Sequence, residues 1–336
     1  MKNTIQASLI VTFRCNAKCQ MCDIWKYPTK ALEELDPKYY EKLPDGLRIN
    51  ITGGEPMLRT DIEDIFKVLY PKAKLIELST NGFFTDKIVS IATKYPNTLI
   101  RVSVEGLPAI NDKIRGIENG FDHAFRTILE LKKTKCKNIG FSVVISDKNA
   151  DDLINLYKLS SYLGVELANA FMHNSWYFHK ADNVVENTDK AAKIEAEFIR
   201  LLLQSRRSGI RNKLKDYGRA YFNRGILKNF SKTTCMSRIQ CGGGKDFFFV
   251  DPFGNISPCN GSMEQWIMGN LKESSFEDIM NSQVAKEAIK KVESCDKNCC
   301  FVVTDRHDMV RRPWKPLYWV VKNKVKLALN IPTDFS

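Results

Sequence analysis

Six short runs rich in β-branched residues punctuate the first half of the chain, each followed by a turn and a segment with the spacing of an amphipathic helix. They are IQASLIVT at 5–12, LRINIT at 47–52, KLIELST at 74–80, LIRVSVE at 99–105, NIGFSVVIS at 138–146 and VELANAFMH at 165–173. Strands alternating with helices pair in parallel, because each crossover returns the chain to the same end of the sheet. Right-handed crossovers curl such a sheet, and reactive groups belong on the loops after the strands' C-terminal ends. The pattern predicts an α/β protein with a partial (β/α)6 TIM-like barrel over residues 1–185.

Past the barrel the periodicity changes. Residues 186–230 read as a helical bridge, with Asp189 as cap, Ile194, Phe198, Leu201 and Leu202 as apolar face and Gly209 as stop. Residues 231–304 read as a small α+β domain, in which DFFFV and NIS flank the turn signal DPFGN as the arms of a hairpin. The tail, 305–336, holds a basic amphipathic helix begun near Pro316. Leu317, Val320, Val321, Val325, Ala328 and Leu329 lie along one side and Lys322, Lys324 and Lys326 largely on the other. Such a helix can dock on the barrel or a second subunit, and it can also lie on an acidic membrane surface.

Composition narrows the setting. The chain is 43% hydrophobic, enough for a substantial core, and no apolar stretch reaches the roughly 18–20 residues of a spanning helix. The N-terminus shows no small-residue cleavage pattern, so the expected location is the cytoplasm, where ten reduced cysteines point to metal. Lys+Arg 51 against Asp+Glu 39 gives a formal charge of +12, which invites nucleic acid. Thiolate-bound iron–sulfur clusters each bring roughly one to two negative charges, so part of that excess balances metal. Nucleic acid is disfavoured, because base-stacking strands interleave aromatic with basic residues and DFFFV does not.

The densest chemical signal is TFRCNAKCQMCDIW, residues 12–25, directly after the first strand. Cys15, Cys19 and Cys22 form an odd trio that suits neither disulfide pairing nor a four-ligand structural zinc site. It suits a metal centre with one position left open.

This C-x3-C-x2-C resembles the signature of radical S-adenosylmethionine enzymes. The resemblance implies that the trio holds a [4Fe-4S] cluster whose fourth iron is chelated by S-adenosylmethionine. It further implies reductive cleavage of the sulfonium to a 5′-deoxyadenosyl radical that abstracts hydrogen from a substrate. Other stretches at strand ends resemble the family's cofactor-binding motifs: GGEP with Gly53, Gly54 and Glu55, STNG with Ser79 and Asn81, SVEG with Ser103 and Glu105, and Arg115 in DKIRG. Each alone reads equally as a turn; together they extend the resemblance over residues 5–120. The family often has an aromatic residue before the third cysteine, where this chain has Met21, a thioether able to pack softly. Phe13 and Trp25 are aromatic neighbours for which core packing is an equal account.

Cys235, Cys241, Gly254 and Cys259 are spaced as in the auxiliary-cluster extension called SPASM, or twitch in its shorter form, and CDKNCC adds Cys295, Cys299 and Cys300. The resemblance implies one auxiliary [4Fe-4S] cluster, fully ligated and suited to accept an electron. A zinc ribbon uses hairpin cysteines too, so a non-enzymatic zinc- or RNA-binding protein is the competing class. Cys136 reads as a plain thiol, and His123, His173, His179 and His307 show no metal spacing, with His173 placed where it could face substrate. Family members with this layout modify ribosomal peptides or oxidise and rearrange small molecules. Nothing before the first strand resembles a peptide-recognition domain, and the chain is basic. The expected substrate is therefore a small anionic or carbohydrate-like molecule undergoing net oxidation, with peptide maturation as the alternative and flavodoxin or ferredoxin as external electron donor.

Overall fold

The computed structural model describes residues 4–205, 207, 209–231, 241–297, 299, 306 and 309–335. Each of the six predicted runs contains a strand: β1 (Gln6–Ile10), β2 (Arg48–Thr52), β3 (Leu75–Thr80), β4 (Leu99–Ser103), β5 (Asn138–Ile145) and β6 (Glu166–Phe171). Between them run α1 (Ile62–Leu69), α2 (Thr85–Lys94), α3 (Pro108–Arg115), α4 (Gly120–Lys132) and α5 (Ala150–Leu163). The chain divides into two compact units, one of Met1–Ser142, His173–Asn183 and Cys241–Cys295, the other of Val143–Met172, Val184–Gln240 and Asp296–Ser336.

In the first unit β1 to β5 pair in parallel in sequence order, with Gln6 opposite Arg48, Ile49 opposite Ile76 and Ile100 opposite Ile139. The sheet is open, a partial barrel of the predicted class. Burial alternates along β2 and β3. Ile49, Ile51, Ile76 and Leu78 are buried, while Asn50, Thr52, Glu77 and Ser79 on the opposite face stay partly accessible. Helix α1 contributes Ile62, Ile65, Phe66 and Leu69 to the core, each worth about 1.5–3 kcal/mol when fully buried.

The hairpin forms as its turn signal predicts: β7 (Phe247–Val250) and β8 (Asn255–Ser257) are antiparallel, with Gly254 at φ +94° in the turn. What local pattern did not announce is that β7 pairs with β1 in parallel, Gln6 opposite Phe247 and Leu9 opposite Val250. A strand flanked on both edges and covered on both faces needs no polar alternation, and all four β7 residues are buried. The short β9 (Gly269–Asn270) continues the sheet beyond β8, followed by α8 (Phe276–Asn281) and α9 (Gln283–Glu293).

The second unit is mainly helical, with α6 (Thr188–Leu203), α7 (Ile210–Phe230) and α10 (Trp314–Ala328). Asn187 caps α6, its side chain accepting from the Lys190 amide; Asp189 sits in the first turn, complementing the helix dipole. Gly209, at φ +83°, precedes α7 as its cap and does not stop α6. The buried side of α6 carries Phe198, Ile199, Leu202, Leu203 and also Glu195, whose carboxylate meets the Asn169 amide at 3.2 Å. Burial pushes the Glu195 carboxyl up to about 8.

The tail helix corrects a sequence expectation. Leu317, Val321, Val325 and Leu329 are exposed, while Val320 and Asn323 are buried and the Lys324 ammonium donates to the Leu203 carbonyl at 2.9 Å and the Tyr217 hydroxyl at 3.0 Å. Trp319 meets Tyr221 edge-on at 5.7 Å. Docking within its own unit is thus what the helix does, through a mixed face. No helix among the described residues is long and apolar enough to cross a membrane.

Candidate radical and iron–sulfur site

The cysteine loop after β1 is held from several sides by backbone. The amides of Gly54 and Glu55 donate to the Thr12 and Arg14 carbonyls at 2.8 Å, and those of Lys18 and Gln20 donate to the Arg115 and Ile114 carbonyls at 2.9 and 2.8 Å, at the end of α3. Such close approach excludes side chains. A Cβ on Gly54 would lie 2.3 Å from the Arg14 oxygen, and one on Gly116, at φ +56°, 2.6 Å from the Lys18 oxygen. Beneath the loop, Arg14 reaches Glu34 at 2.9 and 2.6 Å, Thr29 donates to the same carboxylate at 2.7 Å, and Thr12 also donates to it. Arg59, buried, binds the Val11 and Leu35 carbonyls, both at 2.9 Å.

The three thiols lie close enough to influence one another. Burial pushes Cys15 and Cys22 up to about 12, with the Cys19 sulfur adding to both, and raises Cys19 as well, where Arg115 opposes the rise. At neutral pH the loop alone therefore holds protonated thiols, and a cationic metal centre is what converts such thiols to ligands. Three soft sulfur donors on one rigid loop fit three irons of a four-iron cluster. Phe13 is 6% exposed and packs with Ile10, Ile24, Trp176 and Tyr177, which is core packing. Trp25 is partly buried, with the Lys18 and Lys26 ammoniums 5.8 and 5.4 Å from its ring.

Around the trio stand several residues expected to touch the cofactor. Glu55 is fully buried, its carboxylate accepting from the Asn81 amide at 2.7 Å, the Thr80 hydroxyl at 2.8 Å and the Met57 amide at 3.0 Å. It thereby ties the Gly53–Gly54 turn to the end of β3. The Asn81 side chain donates to Asn16, inside the cysteine loop, at 2.7 Å. Arg115 pairs with Glu105 at 2.8 Å; burial opposes its charge, but Cys19, Glu105 and Cys15 outweigh that and raise it further. Ser79 donates to Asn50 at 3.0 Å, and Ser103 lies 3.4 Å from Ser142.

A second sulfur cluster gathers residues far apart in sequence. Burial raises both Cys241 and Cys259, each also feeling Cys295, which follows α9. Here too glycines allow the approach: a Cβ on Gly243 would lie 2.7 Å from the Pro258 oxygen, and Gly244, at φ +78°, abuts Ile289. Soft donors brought together in this way suit a second iron–sulfur group. Cys299 belongs to the other compact unit, and Cys235, Cys300 and His307 lie outside the described residues. Cys136 is a buried thiol donating to the Thr98 carbonyl at 3.1 Å, and His123 stacks on Phe83 at 4.0 Å.

Of the segment His173–Asn183, sequence reasoning named His173, whose ring packs 5.1 Å from that of Phe178, but missed Trp176, Tyr177 and Phe178, which lie beside both sulfur sites. Three consecutive aromatics just past a barrel strand were the available signal.

Comparison with known proteins agrees with this chemistry. The model of the radical SAM superfamily matches residues 9–160, and that of the SPASM iron–sulfur cluster-binding domain matches residues 241–301. The antilisterial bacteriocin subtilosin biosynthesis protein AlbA of Bacillus subtilis is 24% identical over 88% of this chain and 65% of its own length. Mycofactocin maturase MftC of Mycobacterium tuberculosis is 24% identical over 82% and 70%, and GTP 3′,8-cyclase of Aquifex aeolicus is 30% identical over 51% and 58%. The chain thus spans less than two thirds of AlbA and of the cyclase. Among solved structures, anSMEcpe with bound AdoMet and Cp18Cys peptide superposes with a TM-score of 0.61 at 19% identity, covering 88% of this chain and 85% of that one. Streptococcus suis SuiB bound to its precursor peptide SuiA gives 0.61 at 14% identity, over 86% and 67%. Both share the fold. The zinc- and RNA-binding alternative is set aside, and the chain carries a radical S-adenosylmethionine superfamily domain over residues 9–160 and a SPASM-type iron–sulfur cluster-binding domain over residues 241–301.

Proposed function

We propose that this protein is a peptide-modifying radical S-adenosylmethionine enzyme, the alternative in the sequence reading, and not the small-molecule enzyme that reading favoured. One observation carries the reading. Similarity to AlbA and MftC, named for bacteriocin biosynthesis and for maturation, extends over 88% and 82% of the chain, whereas similarity to the cyclase covers 51%. Two neighbours of like fold bound to peptides, anSMEcpe and SuiB, lend further support.

In this reading Cys15, Cys19 and Cys22 hold the radical-generating cluster, and Gly53, Gly54, Glu55, Ser79, Asn81, Ser103, Glu105 and Arg115 position the cofactor. When bound, the cluster and S-adenosylmethionine supply one reducing electron, drawn from a flavodoxin or ferredoxin, and a hydrogen-abstracting carbon radical. Arg115 keeps a positive charge beside Cys19, offsetting the anionic cluster. By the resemblance, Cys235, Cys241 and Cys259, with a fourth thiolate from Cys295, Cys299 or Cys300, would hold one auxiliary cluster, and such a group, fully ligated by protein, would supply an electron acceptor for oxidation of the peptide. Residues 1–185, 186–230, 231–304 and 305–336 are the functional divisions, in a cytoplasmic setting.

The test uses anaerobically reconstituted protein, dithionite and S-adenosylmethionine, with the short peptides encoded beside its gene as one substrate set and small anionic and carbohydrate compounds as the other. A peptide that stimulates 5′-deoxyadenosine formation and loses hydrogen by mass spectrometry is the expected result. Turnover of a small molecule alone overturns it.

A further inference from the structure

Segment His173–Asn183 touches both sulfur sites at once, inside one compact unit. It closes on itself first. The Asn183 amide donates to the Asn174 side chain at 2.8 Å, Ser175 and Lys180 form a β-bridge, and His179 takes the left-handed conformation at φ +49°, its amide donating to the Trp176 carbonyl. A non-glycine residue held there costs free energy that the surrounding contacts must offset.

Toward the auxiliary site, the Trp176 indole donates to the carbonyl of Cys259 at 2.8 Å, the Trp176 amide donates to the Ser262 carbonyl at 3.0 Å, and the Ser175 hydroxyl donates to the Asn260 carbonyl. Toward the radical site, the next residue reaches the other way. The Tyr177 hydroxyl donates to the Gly53 carbonyl at 2.7 Å, in the turn that approaches Cys15. The Phe178 carbonyl accepts from the Asp23 amide at 2.8 Å, the Asn183 side chain donates to the Met21 carbonyl at 3.0 Å, and Lys180 faces Asp23 at 3.6 Å. Trp176 and Tyr177 are 8% and 7% exposed and packed in one cluster with Phe13 and Ile24, against which Cys15 and Cys22 also lie. Adjacent residues on a buried, self-closed loop cannot move independently.

We propose that this segment is a strap coupling the two cofactor sites, with Trp176 and Tyr177 as its positioning residues: Trp176 sets the Cys259 loop, Tyr177 sets the Gly53–Gly54 turn, and occupancy of the auxiliary site tightens binding of S-adenosylmethionine at the radical site. The inference rests on the two domain assignments and holds for any substrate. Coupling of this kind is reciprocal and shows as non-additivity between substitutions.

The test is calorimetric titration of S-adenosylmethionine into reconstituted wild type, Tyr177→Phe, Trp176→Phe, Cys259→Ala and the Trp176→Phe/Cys259→Ala double variant, with iron counted in each. Tyr177→Phe, which removes the hydroxyl's contacts with the Gly53 carbonyl and the Thr52 hydroxyl, is expected to weaken binding about three- to tenfold with iron unchanged. Cys259→Ala is expected to weaken it by a similar factor where Trp176 is intact, and to add little in the Trp176→Phe background. Equal affinities in wild type, Trp176→Phe and Cys259→Ala, or fully additive losses, overturn the proposal. Should Cys259→Ala not fold, the change that S-adenosylmethionine induces in the radical-site cluster's electron paramagnetic resonance spectrum is compared between wild type and Trp176→Phe. An altered response supports the strap, and an identical one overturns it.

Discussion

The two sulfur sites solve the same problem in opposite ways. Cys15, Cys19 and Cys22 fall within one loop, and the fold's work is to hold that loop from outside through Thr12, Arg14, Ile114 and Arg115. Cys241, Cys259 and Cys295 lie on separate segments, and the hairpin, a glycine run and the end of α9 must bring them together. The first site is a feature of local sequence; the second exists only once remote segments have folded. Metal should therefore contribute more to stability at the second, where ligation closes long loops.

The strongest way to break this contrast is to remove each site. Replacing Cys15, Cys19 and Cys22 by Ala is expected to lower iron to about half, if each site holds four irons, with little change in melting temperature. Replacing Cys241 and Cys259 should remove a similar amount of iron and lower the melting temperature clearly. Equal melting temperatures would end the distinction.

Next in size is Arg115→Ala, which takes from buried Glu105 its 2.8 Å ion pair. A loss of about 3–5 kcal/mol is expected in denaturant unfolding, together with impaired iron loading at the trio and normal loading at the auxiliary site. A smaller effect separates the glycines. Gly54→Ala and Gly243→Ala each force a Cβ onto a carbonyl, costing about 1–3 kcal/mol, and each should lower iron at its own site alone. The smallest effect is kinetic. In iron-free protein near neutral pH, buried Cys15 and Cys22, pushed up to about 12, should alkylate after exposed Cys295, as peptide mapping by mass spectrometry would read. Early labelling of Cys15 would show that its loop is not preformed.

What the sequence disclosed follows the same division. Strand and helix periodicity, the cysteine trio and GGEP are local patterns, so all six barrel strands and the hairpin were legible. The β1–β7 pairing was not, because period within a strand says nothing of which strand lies beside it. Glu195 was passed over on α6, since a lone carboxylate on an apolar face runs against the usual price of burial. The tail helix misled for a related reason: Lys324 and Asn323 pack through hydrogen bonds that hydropathy does not register. Trp176 and Tyr177 went unremarked because their partners, the Cys259 and Gly53 carbonyls, are backbone atoms with no signature in sequence.

The parallel pairing of β1 with β7 also bears on how the protein is made. Gln6 and Phe247 meet from opposite thirds of the chain, so during synthesis the first strand waits with an unpaired edge until the last third has emerged. Contacts of such separation form late, and they slow folding. The loop carrying Cys15, Cys19 and Cys22 follows that waiting strand directly. Iron delivered while the ribosome is still translating would meet a flank not yet in place, so cluster insertion is best timed after chain release, and translation outrunning iron supply should expose β1 to pairing with another copy.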